Sequence, residues 1–312
     1  MTPPINPYHT RVVAADDAGI AEAAAAIAGG ACVAVPTETV YGLAADATRA
    51  DAVARIYQAK GRPSFNPLIV HVASRQDAEA FAVFDDVAFA LAERFWPGPL
   101  TLVLPARSGS PIAPAVTAGL PTLAVRVPAH PAMRALLAAC GRPLAAPSAN
   151  ASGRISPTRA EHVLESLGGR IPLVIDAGPT QAGLESTIVA LTGGPARLLR
   201  HGPISLEALE LAPVSPGGRI EAPGQLRSHY RPAKPLVLNR SHPESQTWLI
   251  GFGAVGGDSS LSPGGNLREA AACLYARLHE ADASDRDRIA VAPIPNTGIG
   301  AAINDRLERA VA

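Results

Sequence analysis

The stretch "VPTETVYGLAADA" (35–47) ends an apolar run in a proline, two threonines, an acid, a tyrosine and a glycine. A strand that runs out into such residues opens a ligand site more readily than a plain turn. Four further segments carry polar groups at spacings that could do chemistry. In "QAKGRPSFNPL", Lys60 and Arg62 flank a glycine where a helix ends. Cations there suit the helix dipole, but two of them, followed by Asn66 and a proline-fixed strand start, equally suit a polyphosphate. In "TLAVRVP", the strand period of two puts Thr122, Ala124 and Arg126 on one face and Leu123, Val125 and Val127 on the other. A guanidinium on a central strand must be given an anion, either an internal carboxylate or a ligand. "APSANASGRISPT" is dense in hydroxyls. Ser156 before Pro157 predicts an N-cap and first helical residue for "TRAEHVLESL". A helix start with free N–H groups can hold phosphate; the plain alternative is a Ser/Asn loop. In "LESTIV", Ser186 and Thr187 enter an apolar strand, and Arg200 follows the next, in "ARLLRHG".

These groups are cations, hydroxyls and amides. No Ser-His-Asp order, pair of acid and base carboxylates or metal-ligand cluster stands out, so the inventory positions and neutralises anions rather than attacking a substrate. Nucleotidyl transfer, where catalysis is mostly orientation and charge stabilisation, fits it. There is no GxxxxGK[ST] run. "GFGAVG" (251–256) matches GxGxxG after a strand, but "GDSSLSPGGN" follows where the dinucleotide motif needs an immediate helix. A glycine-rich strand end is the expectation there.

A sheet must bring these segments together. The sequence predicts a helix over 16–30, capped by Asp16 or Asp17 and stopped by Gly29 and Gly30, then a strand over 31–36. A second helix spans about 50–60, with Val53, Ile56 and Tyr57 on one face, and ends at Gly61 and Pro63. "NPLIVHVAS" reads as a strand and "DVAFALAERF" as a helix closed by "WPGP". Strands follow at 100–104, 122–127, 143–147, 171–175 and 187–191, with helices near 131–139 and 157–167. Tight adjacent strands predict a mixed sheet rather than pure βαβ winding. "LAPVSPGGRIEAPGQLRSHYRPAKP" has no apolar period and reads as an interdomain linker. Beyond it, "PLVLN", "TWLIGFG" and "RIAVAPI" are strand-like and "NLREAAACLYARLHEAD" is an amphipathic helix, enough for a small α/β domain. The expected division is 1–208, a linker over 209–235, and 236–312.

Composition sets the outer bounds. A chain of 312 residues, 47% hydrophobic and 17% charged, can build one or two real cores. Lys+Arg and Asp+Glu are 27 each, so anions must be held by local clusters and not by global charge. No signal-peptide segment or membrane-spanning run is present. Cys32, Cys140 and Cys273 are scattered, odd in number and without a CxxC, which predicts reduced thiols and a cytoplasmic location.

In order and spacing, "PTETVYGLAADA", "AKGRPSFNPLIVHV", "TLAVRVP", "APSANASGRISPT" and "ESTIV…RHG" resemble the threonylcarbamoyl-AMP synthase (YrdC-like) family. The resemblance covers nearly the whole chain, and the linker and terminal domain are similar to the family's long form. It implies an α/β fold: a twisted mixed-sheet catalytic domain around a concave basic cavity, plus a small C-terminal Rossmann-like α/β domain. It implies a nucleotidyltransferase that condenses L-threonine, bicarbonate or carbon dioxide, and ATP to threonylcarbamoyl-AMP, releasing pyrophosphate. The product would pass to a tRNA threonylcarbamoyl transferase that modifies the adenosine beside the anticodon; direct contact with tRNA is left open.

Motif by motif, the resemblance implies threonine contacts at Thr39, with Thr37 nearby, and at His71, Arg126, the Ala146 backbone and Ser186. ATP contacts fall to Lys60, Arg62, Asn66, Thr122, Ser148, Ser156, Arg200 and Tyr230, with Lys60 and Arg62 also stabilising charge during transfer. Mg²⁺ is expected on the phosphates without a dedicated carboxylate cage. Arg227, His229, Tyr230 and Arg231 make the linker too polar for an inert tether, and it is expected to close as a lid over the nucleotide. Two departures stand out: Phe65 where relatives often carry a polar residue, and a linker, "GQLRSHYRP", without the lysine of some relatives. The main alternative is a module for double-stranded RNA, which zero net charge opposes. A carbamoyl-transfer domain of hydrogenase maturation would sit in a larger chain with zinc-type cysteines, and a dehydrogenase would rest on "GFGAVG" alone.

Overall fold

The computed structural model describes residues 8–210, 221–225, 229–242 and 244–312. Within the expected linker, 211–220 and 226–228, Arg227 among them, lie outside the described residues. The first unit begins with β1 (Arg11–Ala14), α1 (Asp17–Ala28), β2 (Val33–Pro36), β3 (Tyr41–Asp46), α2 (Ala50–Lys60), β4 (Ile69–His71) and α3 (Arg75–Glu79). It continues through α4 (Asp86–Phe95), β5 (Leu100–Pro105), α5 (Pro114–Thr117), β6 (Thr122–Arg126), α6 (Pro131–Cys140) and β7 (Leu144–Ala145). It closes with α7 (Ala160–Leu167), β8 (Leu173–Asp176), β9 (Thr187–Ala190), β10 (Arg197–Arg200) and α8 (Leu206–Leu209). The second unit runs β11 (Leu236–Leu238), β12 (Thr247–Gly251), β13 (Ser259–Ser260), α9 (Leu267–Ala283), β14 (Arg288–Val291) and α10 (Ile299–Val311).

Short polar side chains start several of the helices. Asp16 accepts from the Gly19 N–H at α1, Asp85 from Ala88 at α4, and Asn266 from Arg268 and Glu269 at α9. The first unit's strands form one ten-stranded sheet in the order β1-β8-β2-β3-β7-β4-β6-β5-β9-β10. Its pairs are parallel at β1·β8, β8·β2, β4·β6 and β5·β9 and antiparallel elsewhere, the mixed sheet that the sequence predicts. The second sheet, β11-β14-β12-β13, is parallel throughout.

One face of the large sheet packs Leu123, Val125 and Val127 with Val53 and Ile56 of α2 and Leu91 of α4. On part of the other face, Ile20 and Ile27 of α1 meet Met133 and Leu136 of α6. The rest of that face, with Ile69, Val103, Ala124 and Ile188, forms a small cluster that includes no helix residue and is joined by Ala222. This uncovered half is where a site can form.

Several expectations are corrected. Tyr41–Asp46, expected only as a polar strand end, is a fully buried strand paired between β2 and β7. The strands expected over 66–74 and 143–147 shrink to the short β4 and β7. Ser156 is not an N-cap: α7 starts only at Ala160. Pro157 O accepts from the Tyr41 N–H and Thr158 O from the Thr180 N–H, and these bonds keep the chain extended there. α10 has no counterpart among the expected elements. "GFGAVG" ends β12, a Phe252–Val255 bridge follows, and the next helix begins only at Leu267, as a plain strand end requires. Among the described residues no helix is long and apolar enough to cross a membrane.

Candidate active site

At the uncovered half of the sheet, strand ends and loops enclose a cavity. The turn between β2 and β3 is built by Thr37, whose hydroxyl donates to Val40 O at 2.7 Å and accepts from the Thr39 and Val40 N–H groups. With that proton committed, Thr39 must donate to Thr37 Oγ1, 2.8 Å away. Thr39 also accepts from Arg126 Nη1 at 3.0 Å, which leaves one of its lone pairs for a ligand donor.

Arg126 ends β6 on the cavity face, as the alternation predicts. Its Nε donates to Gly98 O and its Nη2 to Glu38, whose other carboxylate oxygen accepts from the Ala129 N–H. The internal salt bridge therefore exists. With the bonds to Gly98 O and Thr39 it takes three of the five guanidinium N–H groups and leaves two. Burial pushes the Glu38 carboxyl up, but the Arg126 charge and hydrogen bonds bring it below its ordinary value. His71 lies opposite Arg126 in the β4·β6 register. Burial, and then Arg126, push its imidazole down to about 3. It is neutral, and its Nδ1 has no protein partner.

The far wall comes from β9 and β10. Arg200 donates from Nε to Ser186 O and from Nη2 to Ser186 Oγ, both at 3.0 Å, and Ser186 Oγ lies 2.7 Å from Thr101 Oγ1. Gly224 lies against this arginine with φ +86°. A Cβ there would stand 2.7 Å from Arg200 Cδ and 3.3 Å from the Tyr230 hydroxyl, so glycine is required. Tyr230 is buried with its hydroxyl unpartnered, as is Nδ1 of His229. Burial raises the Tyr230 phenol to about 12.

Beyond α2, Arg62 reaches the cavity while donating to Asn66 O and Pro67 O; burial lowers its guanidinium to about 10.

Ten of the fourteen residues expected from sequence line this cavity: Thr37, Thr39, Arg62, His71, Arg126, Ala146, Ser148, Ser186, Arg200 and Tyr230. The Ala146 N–H is committed to Ile69 O. Three of the other four stand one layer back. Lys60 donates to Ser148 O and Asn150 O, which fixes the 148–150 loop. Burial, and then Arg62, push its ammonium well below the lysine range, with Glu185 opposing. Asn66 holds Arg62 through its carbonyl, and Ser156 donates to Glu185 at 2.5 Å. Thr122 stands apart: it shares a face with Arg126 but is four residues, or about 13 Å, along the strand, where it pairs with Pro105.

Two acids are absent from the residues expected from sequence: Glu185, which lines the cavity, and Glu38, which stands behind Arg126. Each immediately precedes a cavity hydroxyl, in "PTETV" and "LESTIV", and that repeated pattern is the signal that could have found them. Both are held by arginines, Glu38 by Arg126 and Glu185 by Arg306. Among the described residues no group of three or more His, Cys, Asp or Glu could hold a metal ion. What the wall offers is three buried guanidiniums, hydroxyls, the neutral imidazoles of His71 and His229, the Arg306-paired carboxylate of Glu185, and apolar Val40 and Ile69. Such a site holds anions and orients them.

A family model described as "Telomere recombination" matches residues 25–202, and one described as "Threonylcarbamoyl-AMP synthase, C-terminal domain" matches 204–312. The chain is 40% identical to threonylcarbamoyl-AMP synthase of Bacillus subtilis (strain 168), over 96% of this chain and 95% of the relative. It is 40% identical to threonylcarbamoyl-AMP synthase of Pyrococcus abyssi, over 92% of each. The crystal structure of P. abyssi Sua5 complexed with L-threonine matches with a TM-score of 0.88 and 37% identity, covering 97% of this chain and 96% of that one.

Proposed function

Because the chain belongs to the threonylcarbamoyl-AMP synthase (YrdC-like) family, we propose that it joins L-threonine, bicarbonate or carbon dioxide, and ATP into threonylcarbamoyl-AMP. In this reading bicarbonate takes up a proton and loses water to give carbon dioxide. The deprotonated amine of threonine attacks its carbon, a C=O electron pair moves onto oxygen, and an N–H proton passes to solvent, leaving a carbamate. A carbamate oxygen then attacks the α-phosphorus, the bond to the bridging oxygen breaks, and its electron pair leaves with pyrophosphate. The threonine carboxylate takes the two remaining Arg126 N–H groups, and the free lone pair of Thr39 accepts from the amine or hydroxyl. His71 and Ser186 complete this end. Arg62, Arg200, Ser148 and the Tyr230 hydroxyl take the nucleotide, while Lys60, Asn66 and Ser156 act through the residues that they hold. Water is kept from the hydrolysis-prone adduct by the enclosed wall.

Mg²⁺ would arrive with ATP, its ligands phosphate oxygens and water, since the wall carboxylate Glu185 and the nearby Glu38 are already held by arginines. The reading divides the chain at 1–208, 209–235 and 236–312 and places the enzyme in the cytoplasm. Its product is handed to a tRNA threonylcarbamoyl transferase. Double-stranded RNA gains no support, because Arg62, Arg126 and Arg200 are only 8%, 3% and 5% exposed and duplex phosphates could not reach them.

One observation carries the reading. Arg126, Thr39, His71, Ser186 and Arg200 converge on one cavity in a chain similar from end to end to a protein whose structure is complexed with L-threonine. The test is to incubate the protein with ATP, bicarbonate and threonine and to follow threonylcarbamoyl-adenylate by mass spectrometry. A product of the adenylate mass that needs all three substrates is expected. Pyrophosphate release indifferent to threonine would overturn the reading.

A further inference from the structure

Of the two buried acids at the site, Glu38, behind the wall, is answered from within the ten-stranded unit by Arg126. Glu185 is answered from outside it. Arg306 of α10 lies with Nε 2.8 Å from a Glu185 oxygen, and the Tyr275 hydroxyl of α9 lies 3.0–3.1 Å from both oxygens. Arg306 is 1% exposed, donates from Nη2 to His201 O, and stands 5.1 Å over the Tyr230 ring. The same loop is fixed by shape. Gly183 has φ +69°, and a Cβ there would lie 2.4 Å from Ala271 O of α9.

Joining the two units does not require this ion pair. Val40, Ile155 and Leu184 already share an apolar cluster with Leu274, Leu278 and Ile303, and a buried pair is a poor source of stability compared with apolar packing. We propose that Arg306 is a positioning residue for the nucleotide. By neutralising Glu185 from the C-terminal domain, it leaves Arg200 free for the phosphates. The proposal rests on the reading of ATP as substrate. Without Arg306, the Glu185 charge would fall on Arg200 and Lys60, the cations that already feel it, and would repel a polyphosphate entering the cavity.

The test is steady-state pyrophosphate release by the full chain, with ATP and threonine varied in turn, for wild type, Arg306→Met, Arg306→Lys, Glu185→Gln and the double variant Glu185→Gln/Arg306→Met. Arg306→Met should raise the KM for ATP by about tenfold to a hundredfold, the scale of one charge-assisted hydrogen bond, and change that for threonine by less than about threefold. Arg306→Lys should fall between, and the double variant should recover most of the loss. Melting temperatures are measured alongside. An unchanged KM for ATP in Arg306→Met overturns the proposal, as does a parallel rise in both KM values that the double variant does not recover. Should Arg306→Met fail to fold, the double variant is compared with Glu185→Gln. Equal KM values for ATP support the proposal, and a higher one in the double variant overturns it. Wild type that releases no pyrophosphate overturns the reading of the reaction and this proposal together.

Discussion

Thr39 and Arg126 offer a ligand one lone pair and two N–H groups, and Val40 and Ile69 stand beside them in the wall. If threonine binds there as proposed, its methyl would meet these apolar side chains, a contact that serine lacks. Serine should therefore show a kcat/KM lower by about 10–200-fold, the scale of one methyl in a fitted pocket. Equal values in a pyrophosphate-release assay would remove the fitted pocket. Glu185 gives a pH prediction. Burial pushes its carboxyl up, but Arg306, Arg200 and the Ser156 hydroxyl hold it at about 2, against 4.5 in the unfolded chain. The unfolded state thus takes up its proton first on acidification. The part of the stability that depends on this group's ionisation is complete above about pH 4.5 and lost as pH falls towards 2. Denaturant unfolding at pH 6 and pH 3 should show this fall in the wild type and a smaller one in Glu185→Gln; equal falls would locate the acid sensitivity elsewhere. At this scale the sequence was half legible. The alternation in "TLAVRVP" by itself assigns Arg126 to the face that becomes the cavity wall. An acid beside a strand end is ordinary, and only a partner 121 residues away makes Glu185 part of a wall.

Lys60 shows how an element turns a charge into geometry. It ends α2, where a cation suits the helix dipole, yet its ammonium is committed to the carbonyls of Ser148 and Asn150. Lys60→Met would leave those buried carbonyls without their donor. We expect a loss of about 1–3 kcal/mol in unfolding free energy together with a fall in turnover, because Ser148 belongs to the wall. A role confined to the helix end would cost only about 0.3–1 kcal/mol and leave the rate unchanged; chemical denaturation and rate measured on one preparation separate the two. Other elements hid for physical reasons. All six residues of β3 are buried, so it lacks the in-and-out alternation that marks a half-exposed strand. In α10 the buried stripe of Ala302, Ile303, Leu307 and Ala310 also holds the charged Arg306, whose burial depends on tertiary partners that no local pattern shows. Ser156 misled because its hydroxyl is drawn to Glu185, a tertiary partner that wins over the local cap.

Across the molecule, the described residues form two sheets but not two independent cores. The cluster under α9 takes Val40, Ile155 and Leu184 from the first unit, and His162 of α7 stacks on His279 of α9 with ring centroids 3.9 Å apart. His229 donates its N–H to Arg309 O, and Arg231 donates to Gly153 O, so the described end of the linker is tied to both units. Separating them would expose that apolar cluster and strand the Glu185 carboxylate in a buried wall without its arginine. Local opening between the units is therefore coupled to loss of the site, and the chain should unfold as one cooperative body. Scanning calorimetry should give a single transition whose van't Hoff and calorimetric enthalpies agree. ATP and threonine together should raise it, because a ligand that binds only the native state at a hundred times its Kd adds about 2.7 kcal/mol. Two resolved transitions, with only the lower one moved by ligand, would mean that the C-terminal domain stands apart from the cavity, and the ion pair through which it is argued to act would then be a surface contact without consequence for the reaction.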